Sequence, residues 1–89
     1  MRLTFTRSAQ RDLVRLREFI AEKNPESARR ISQELREGIG KITDQPHIGV
    51  DVENMPGIQD LVRGDYIVRY LVRHEEVAVL RIWHGKEDR

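Results

Sequence analysis

The chain has 89 residues, no cysteine, a formal net charge of +1 and a charged fraction of 35%. Its length excludes a second core, and the missing cysteine excludes disulfides and cysteine-based metal sites. No apolar run is long enough to span a bilayer and no apolar h-region stands near the first residue, so a cytoplasmic protein with no membrane partner is the expectation.

Charges of both signs are interspersed, as in a folded domain with a heavily charged surface rather than a disordered chain. Residues 1–50 hold ten Lys or Arg against seven Asp or Glu, and residues 51–89 hold six against eight. A dedicated nucleic-acid binder needs a basic excess to neutralise phosphates. The weak balance counts against a nucleic-acid substrate.

"RLTFT" alternates, with Leu3 and Phe5 on one side, and reads as a short strand. Ala9, Leu13, Leu16 and Ile20 then form one stripe of a 3.6-period helix, which Thr6 or Ser8 can cap. Pro25 disfavours helical geometry at Asn24, so this helix stops by Lys23. Asn24 caps a second helix with Pro25 at its first position, and Ala28, Ile31, Leu35, Ile39 and Ile42 form its stripe. The pair reads as an antiparallel hairpin with both stripes turned to one core. Residues 43–57, with two prolines and two glycines, read as a loop.

The remainder is β. Strands are expected at Ile58–Arg63, "YIVRYLVR" and "VAVLRIWH", with a turn at Gly64-Asp65. A two- or four-residue connection pairs Val72 with Val77, Val68 with Arg81 and Tyr66 with Trp83. Tyr66, Val68, Tyr70, Val72, Val77, Val79, Arg81 and Trp83 then face the helices. Ile67, Arg69, Leu71, Arg73, Ala78, Leu80, Ile82 and His84 lie on an open face that a partner can cover. A bulge would exchange part of these sets. The fold class is α+β: one domain over 1–89, β-α-α-β-β-β, with an N-terminal helix hairpin on a mainly antiparallel four-stranded sheet. Leu13, Leu16, Ile31, Leu35, Tyr70 and Val79 are the expected core.

No standard catalytic motif is present. Gly38, Gly40 and Gly49 lack phosphate-loop spacing, and His47, His74 and His84 form no metal-ligand pair, so neither metal nor cofactor is expected. One constellation remains: Arg63, Arg69, Arg81, His84 and Lys86. It fits a phosphate clamp with a proton carrier. Solvated strand residues, half neutralised by neighbouring carboxylates, are the plainer reading of the spacing. Gly85 to Arg89 contain no apolar side chain and are expected to be mobile, adding little to the core.

The order of these elements resembles the RelE/ParE toxins of bacterial type II toxin–antitoxin systems. The likeness runs through "SAQRDLVRLREFIAEKNPESARR", the loop holding Pro46 and Gly49, "MPGIQDLV", "YIVRYLV" and the closing "VLRIWHGKED". The RelE branch cleaves mRNA on the ribosome with lysines, arginines and often a tyrosine. The ParE branch poisons DNA gyrase and is not an enzyme in its own right. Ile67 and Glu87 stand where the RelE branch places arginines, and Gln59, Asp60 and Leu61 stand where basic residues would be wanted. The resemblance therefore implies a ParE-like gyrase poison silenced by a cognate antitoxin, with DNA in the gyrase complex as a further contact. An atypical RelE-like endoribonuclease is the alternative. On this reading Arg81, His84, Lys86 and Arg89 are the candidates for the target. Ile67, Arg69, Leu71, Arg73, Leu80 and Ile82 are those for the antitoxin.

Overall fold

The computed structural model describes residues 1–22 and 24–87. Strand β1 (Arg2–Phe5) leads into helix α1 (Arg7–Ala21) and helix α2 (Pro25–Asp44). Strands β2 (Val50–Asp51), β3 (Ile58–Arg63), β4 (Tyr66–Arg73) and β5 (Glu76–His84) follow. The fold is α+β as expected: two helices on one sheet. The sheet has five strands, not four, in the order β1-β5-β4-β3-β2. β1 runs parallel to β5 and every other pair is antiparallel. The fifth strand is the two-residue β2, inside the stretch expected to be loop, where Val50 and Asp51 pair with Asp60 and Gln59.

Local chemistry sets the helix boundaries. Thr6 is the N-cap of α1, its hydroxyl accepting from the Ala9 amide at 3.1 Å. Asn24 caps α2 in the same way, accepting from the Ser27 amide at 2.8 Å, with Pro25 in the first turn. The core gathers Ala9, Leu16, Ile20, Leu35 and Ile42 from the helices with Leu61, Tyr66, Val68, Tyr70, Val77, Val79 and Ile82 from the sheet. Leu13 and Ile31 pack against it, partly buried.

Buried Tyr70 also ties down the long loop. Its hydroxyl accepts from the Gly49 amide and donates to Oε1 of the buried Gln59 side chain, both at 2.9 Å. A Cβ at position 49 would stand 2.7 Å from that hydroxyl and 2.9 Å from the Asp60 carbonyl oxygen. Glycine is required there by close approach.

The β4–β5 connection has two residues, His74 and Glu75, with His74 in the left-handed region at φ 54°. Val72 faces Val77 as expected. Past Tyr70↔Val79 the register slips: Arg69 faces Arg81, Val68 faces Ile82, Ile67 faces Trp83 and Tyr66 faces His84. Leu80 is the extra residue of a β-bulge. Four expected placements are corrected by it. Ile82 is not on the open face but fully buried in the core. His84 turns to the helix side beside Tyr66. Arg81 and Trp83 leave the helix side; Trp83 lies opposite Ile67, buried beneath the guanidinium of Arg69 at 5.2 Å.

Candidate functional site

The bulge is built around Asp12, a carboxylate that reasoning from the sequence passed over. Asp12 sits three residues after Ala9 and four before Leu16, on the buried face of α1, and is 4% exposed. Its Oδ2 accepts from the Ile82 amide at 2.8 Å and from Arg81 Nε at 2.8 Å. Its Oδ1 accepts from Arg81 Nη2 at 3.2 Å and Arg15 Nη2 at 3.0 Å. Burial by itself would push this carboxyl up. The Arg81 hydrogen bond, the Ile82 amide and the charges of Arg81 and Arg15 outweigh burial and hold it below the ordinary carboxylate range. A carboxylate in an otherwise apolar helical stripe was the available signal.

Beyond Phe5, β1 no longer borders β5, and side chains complete the edge. The Thr6 hydroxyl donates to the Leu80 carbonyl at 2.9 Å, and Arg15 Nη2 donates to the Ile82 carbonyl at 3.0 Å. Glu87 Oε1 accepts from the His84 amide at 2.8 Å, while its other oxygen pairs with Arg15. Gly85, Lys86 and Glu87 are therefore held, contrary to expectation; Asp88 and Arg89 of the same stretch lie outside the described residues. The Gly85 amide donates to the Asp65 carbonyl at 2.7 Å, the Lys86 amide to His84 Nδ1 at 3.0 Å, and the Glu87 amide to the His84 carbonyl at 2.9 Å.

The sequence offers four candidates for the target. Arg81 is spent on Asp12, whose hydrogen bond raises the guanidinium pKa further. His84 accepts through Nδ1, so its ring proton is on Nε2, which faces Asp65 at 4.0 Å. Lys86 is exposed on the turn and has no ion pair among the described residues. Arg89 lies outside the described residues. The structure joins Arg81 and His84 to one edge, with Lys86 immediately after it.

Among the antitoxin candidates, Ile67, Arg69 and Leu71 share the open face, half-buried, and Arg73 is exposed at its far end. Leu80 is half-buried at the bulge. Arg69 makes a two-point pair with Asp60, 2.8 and 3.0 Å, which raises its pKa. Arg69 and Arg81 stand opposite each other across the strands, an arrangement that repels unless each charge is met. Asp60 meets one and Asp12 the other. Exposed Val62 and Val50 extend this face toward β2.

Among the described residues no group of three or more His, Asp or Glu side chains could hold a metal ion, and no helix is long and apolar enough to cross a membrane.

Similarity to known proteins agrees with this architecture. A chain called Toxin RelE1 from Caulobacter vibrioides is 32% identical over 83 residues, covering 91% of this chain and 89% of that one. The solved structure of a chromosomal ParDE toxin–antitoxin system from P. aeruginosa superposes with a TM-score of 0.76 at 23% identity, covering 97% of both chains. The conserved hypothetical protein HP0894 from Helicobacter pylori has the same fold, with a TM-score of 0.61 at 17% identity over 98% of this chain and 97% of that one. Residues 3–89 match the model of the ParE toxin of the type II toxin–antitoxin system parDE, and the chain belongs to that toxin family.

Proposed function

We propose that this toxin acts on DNA gyrase without catalysing a reaction of its own, and that a cognate antitoxin silences it by covering the open face of the sheet. The reading is carried by the pairing of the basic residues. Phosphoryl chemistry needs cations free to meet a phosphate and a base free to take a proton. Arg63, Arg69 and Arg81 are paired with Glu37, Asp60 and Asp12. The remaining cations of the described β half, Arg73 and Lys86, stand at opposite ends of β4 and β5. An eight-residue strand separates its ends by roughly 23 Å, too far for one phosphate. The His84 lone pair is occupied by the Lys86 amide. Lys86 is then a contact for the target rather than part of a nuclease. The name of the Caulobacter relative supports the second reading, ribosome-dependent mRNA cleavage.

Two assays on the purified chain separate them: gyrase supercoiling with a cleaved-DNA readout, and mRNA cleavage on programmed ribosomes. Trapped cleaved DNA without mRNA scission is expected; the reverse would overturn the gyrase reading. For the antitoxin, Ile67, Leu71 and Leu80 supply apolar contact, and Arg73, without an ion pair among the described residues, a charge for an acidic segment. Leu71→Asp should leave the toxin folded and weaken the complex about a hundredfold, the scale of one lost apolar anchor. Unchanged affinity in a titration would move the interface to the helices.

A further inference from the structure

A cavity of about 430 Å³ opens between the end of α1, the start of α2 and the β3–β4 turn. Three rings line it: Phe19, Tyr66 and His84. Tyr66 meets His84 edge to face at 5.1 Å, and Phe19 meets His84 at 6.1 Å, tilted by 58°. Two carboxylates, Glu34 and Asp65, also line it. Half-buried Glu34 has no ion pair among the described residues and rests against Gly64. Arg30 is the cationic residue of the lining, exposed and without an ion pair of its own among the described residues.

Tyr66 provides an independent sign of a ligand. It is 3% exposed, yet its hydroxyl makes no hydrogen bond among the described residues. Among the described residues no sealed side-chain oxygen or nitrogen lacks a partner, so this hydroxyl is not sealed, and the cavity is the space that Tyr66 lines. Burial, and then the nearby charges of Asp65, Glu87 and Glu34, push its pKa up.

We infer that this cavity is a receptor for a guanidinium or ammonium side chain carried by a protein partner. Ring faces attract cations, and a carboxylate beside them adds a charge-assisted hydrogen bond. The Tyr66 hydroxyl offers a further acceptor. The volume is near the lower end of small-molecule pockets, which run from about 300 to 1,000 Å³, and suits one long side chain. The sign of the lining is wrong for phosphate. The inference is independent of which macromolecule the toxin attacks.

The test is an NMR titration of the full chain, following the ring protons of Phe19, Tyr66 and His84. The probes are N-acetyl-arginine amide, its neutral isostere N-acetyl-citrulline amide, spermidine and inorganic phosphate. The arginine probe should shift all three rings with saturation. The citrulline probe should bind about fivefold more weakly, as should the arginine probe to Glu34→Gln, since one charge contact is lost in each. Phosphate should leave the rings unmoved. Equal binding of the arginine and citrulline probes, larger shifts with phosphate, or no shift with any probe would overturn the inference. Tighter binding of spermidine than of the arginine probe would overturn the protein-borne source. The citrulline comparison is made on the unsubstituted chain, so it decides even if Glu34→Gln fails to fold.

Discussion

From Glu76 to Val79 the outer edge of β5 is bordered by the backbone of β1, with the Thr6 amide closing the ladder on the Val79 carbonyl at 3.0 Å. From Leu80 to His84 the same edge is bordered by Thr6, Asp12, Arg15 and Glu87 through their side chains. Both halves satisfy their backbone groups, as a sheet edge must if it is not to pair with another chain. The first half depends on no particular side chain. The second depends on four, three of them charged, and should respond to substitution and to pH in ways the first cannot.

The largest expected effect is therefore at Asp12. Asp12→Ala leaves the buried Ile82 amide without an acceptor and releases Arg81 and Arg15. An orphaned buried donor costs about 1–3 kcal/mol and a hydrogen bond to a charged group contributes about 1.5–3. A loss of about 3 kcal/mol in denaturant-melting stability is expected, a large share for a domain of this size. A loss under 1 kcal/mol would mean that the edge is held without its charges.

The same carboxylate gives the edge a pH dependence. Its folded pKa lies below the 3.8 of an ordinary aspartate. A depressed carboxylate contributes stability that is fully present above the unfolded pKa and is lost as pH falls through the folded one. The stability gap between the unsubstituted chain and Asp12→Asn should be constant down to about pH 5 and shrink below about pH 4. A gap that stays constant to pH 2 would show that the folded and unfolded pKa values of Asp12 coincide.

This contrast also marks what the residues disclosed. The helices were legible because their signals are local: Thr6 and Asn24 cap, Pro25 follows, and the apolar stripes recur every three or four residues. The first half of the β4–β5 register was legible from hairpin length alone. The second was not, because the bulge is made by a carboxylate about seventy residues away in the chain. Ile82 and His84 were consequently assigned to the wrong faces, and the cavity beside His84 could not be foreseen. β2 was missed because two residues carry no period. The tail's lack of apolar side chains was read as freedom, whereas Glu87 and three backbone amides fasten it with polar bonds.

The tail gives a smaller effect. Glu87→Ala removes the acceptor of the His84 amide and the partner of Arg15, both only part-buried. A loss of about 1 kcal/mol is expected, the usual net worth of one such hydrogen bond. Hydrogen exchange should quicken at the His84 amide and remain unchanged at Val77 and Val79. Equal protection at His84 in both proteins would show that the turn holds itself.

The smallest effect belongs to the backbone-bordered half. Arg2 pairs with Glu76 there, but the arginine side chain is 76% exposed and the glutamate 33%. Exposed pairs are screened by solvent and salt and contribute about 0–1 kcal/mol. The β1–β5 ladder persists whichever side chain stands at position 2, because the backbone amide of residue 2 still donates to the Glu75 carbonyl at 2.9 Å. Arg2→Ala should shift stability by less than about 0.5 kcal/mol, and the shift should vanish in molar salt. The measurement is a pair of denaturant melts at low and high ionic strength. A loss comparable to that of Asp12→Ala would mean that this half of the edge is also held by charge, and that the difference between the two halves of β5 is one of geometry only.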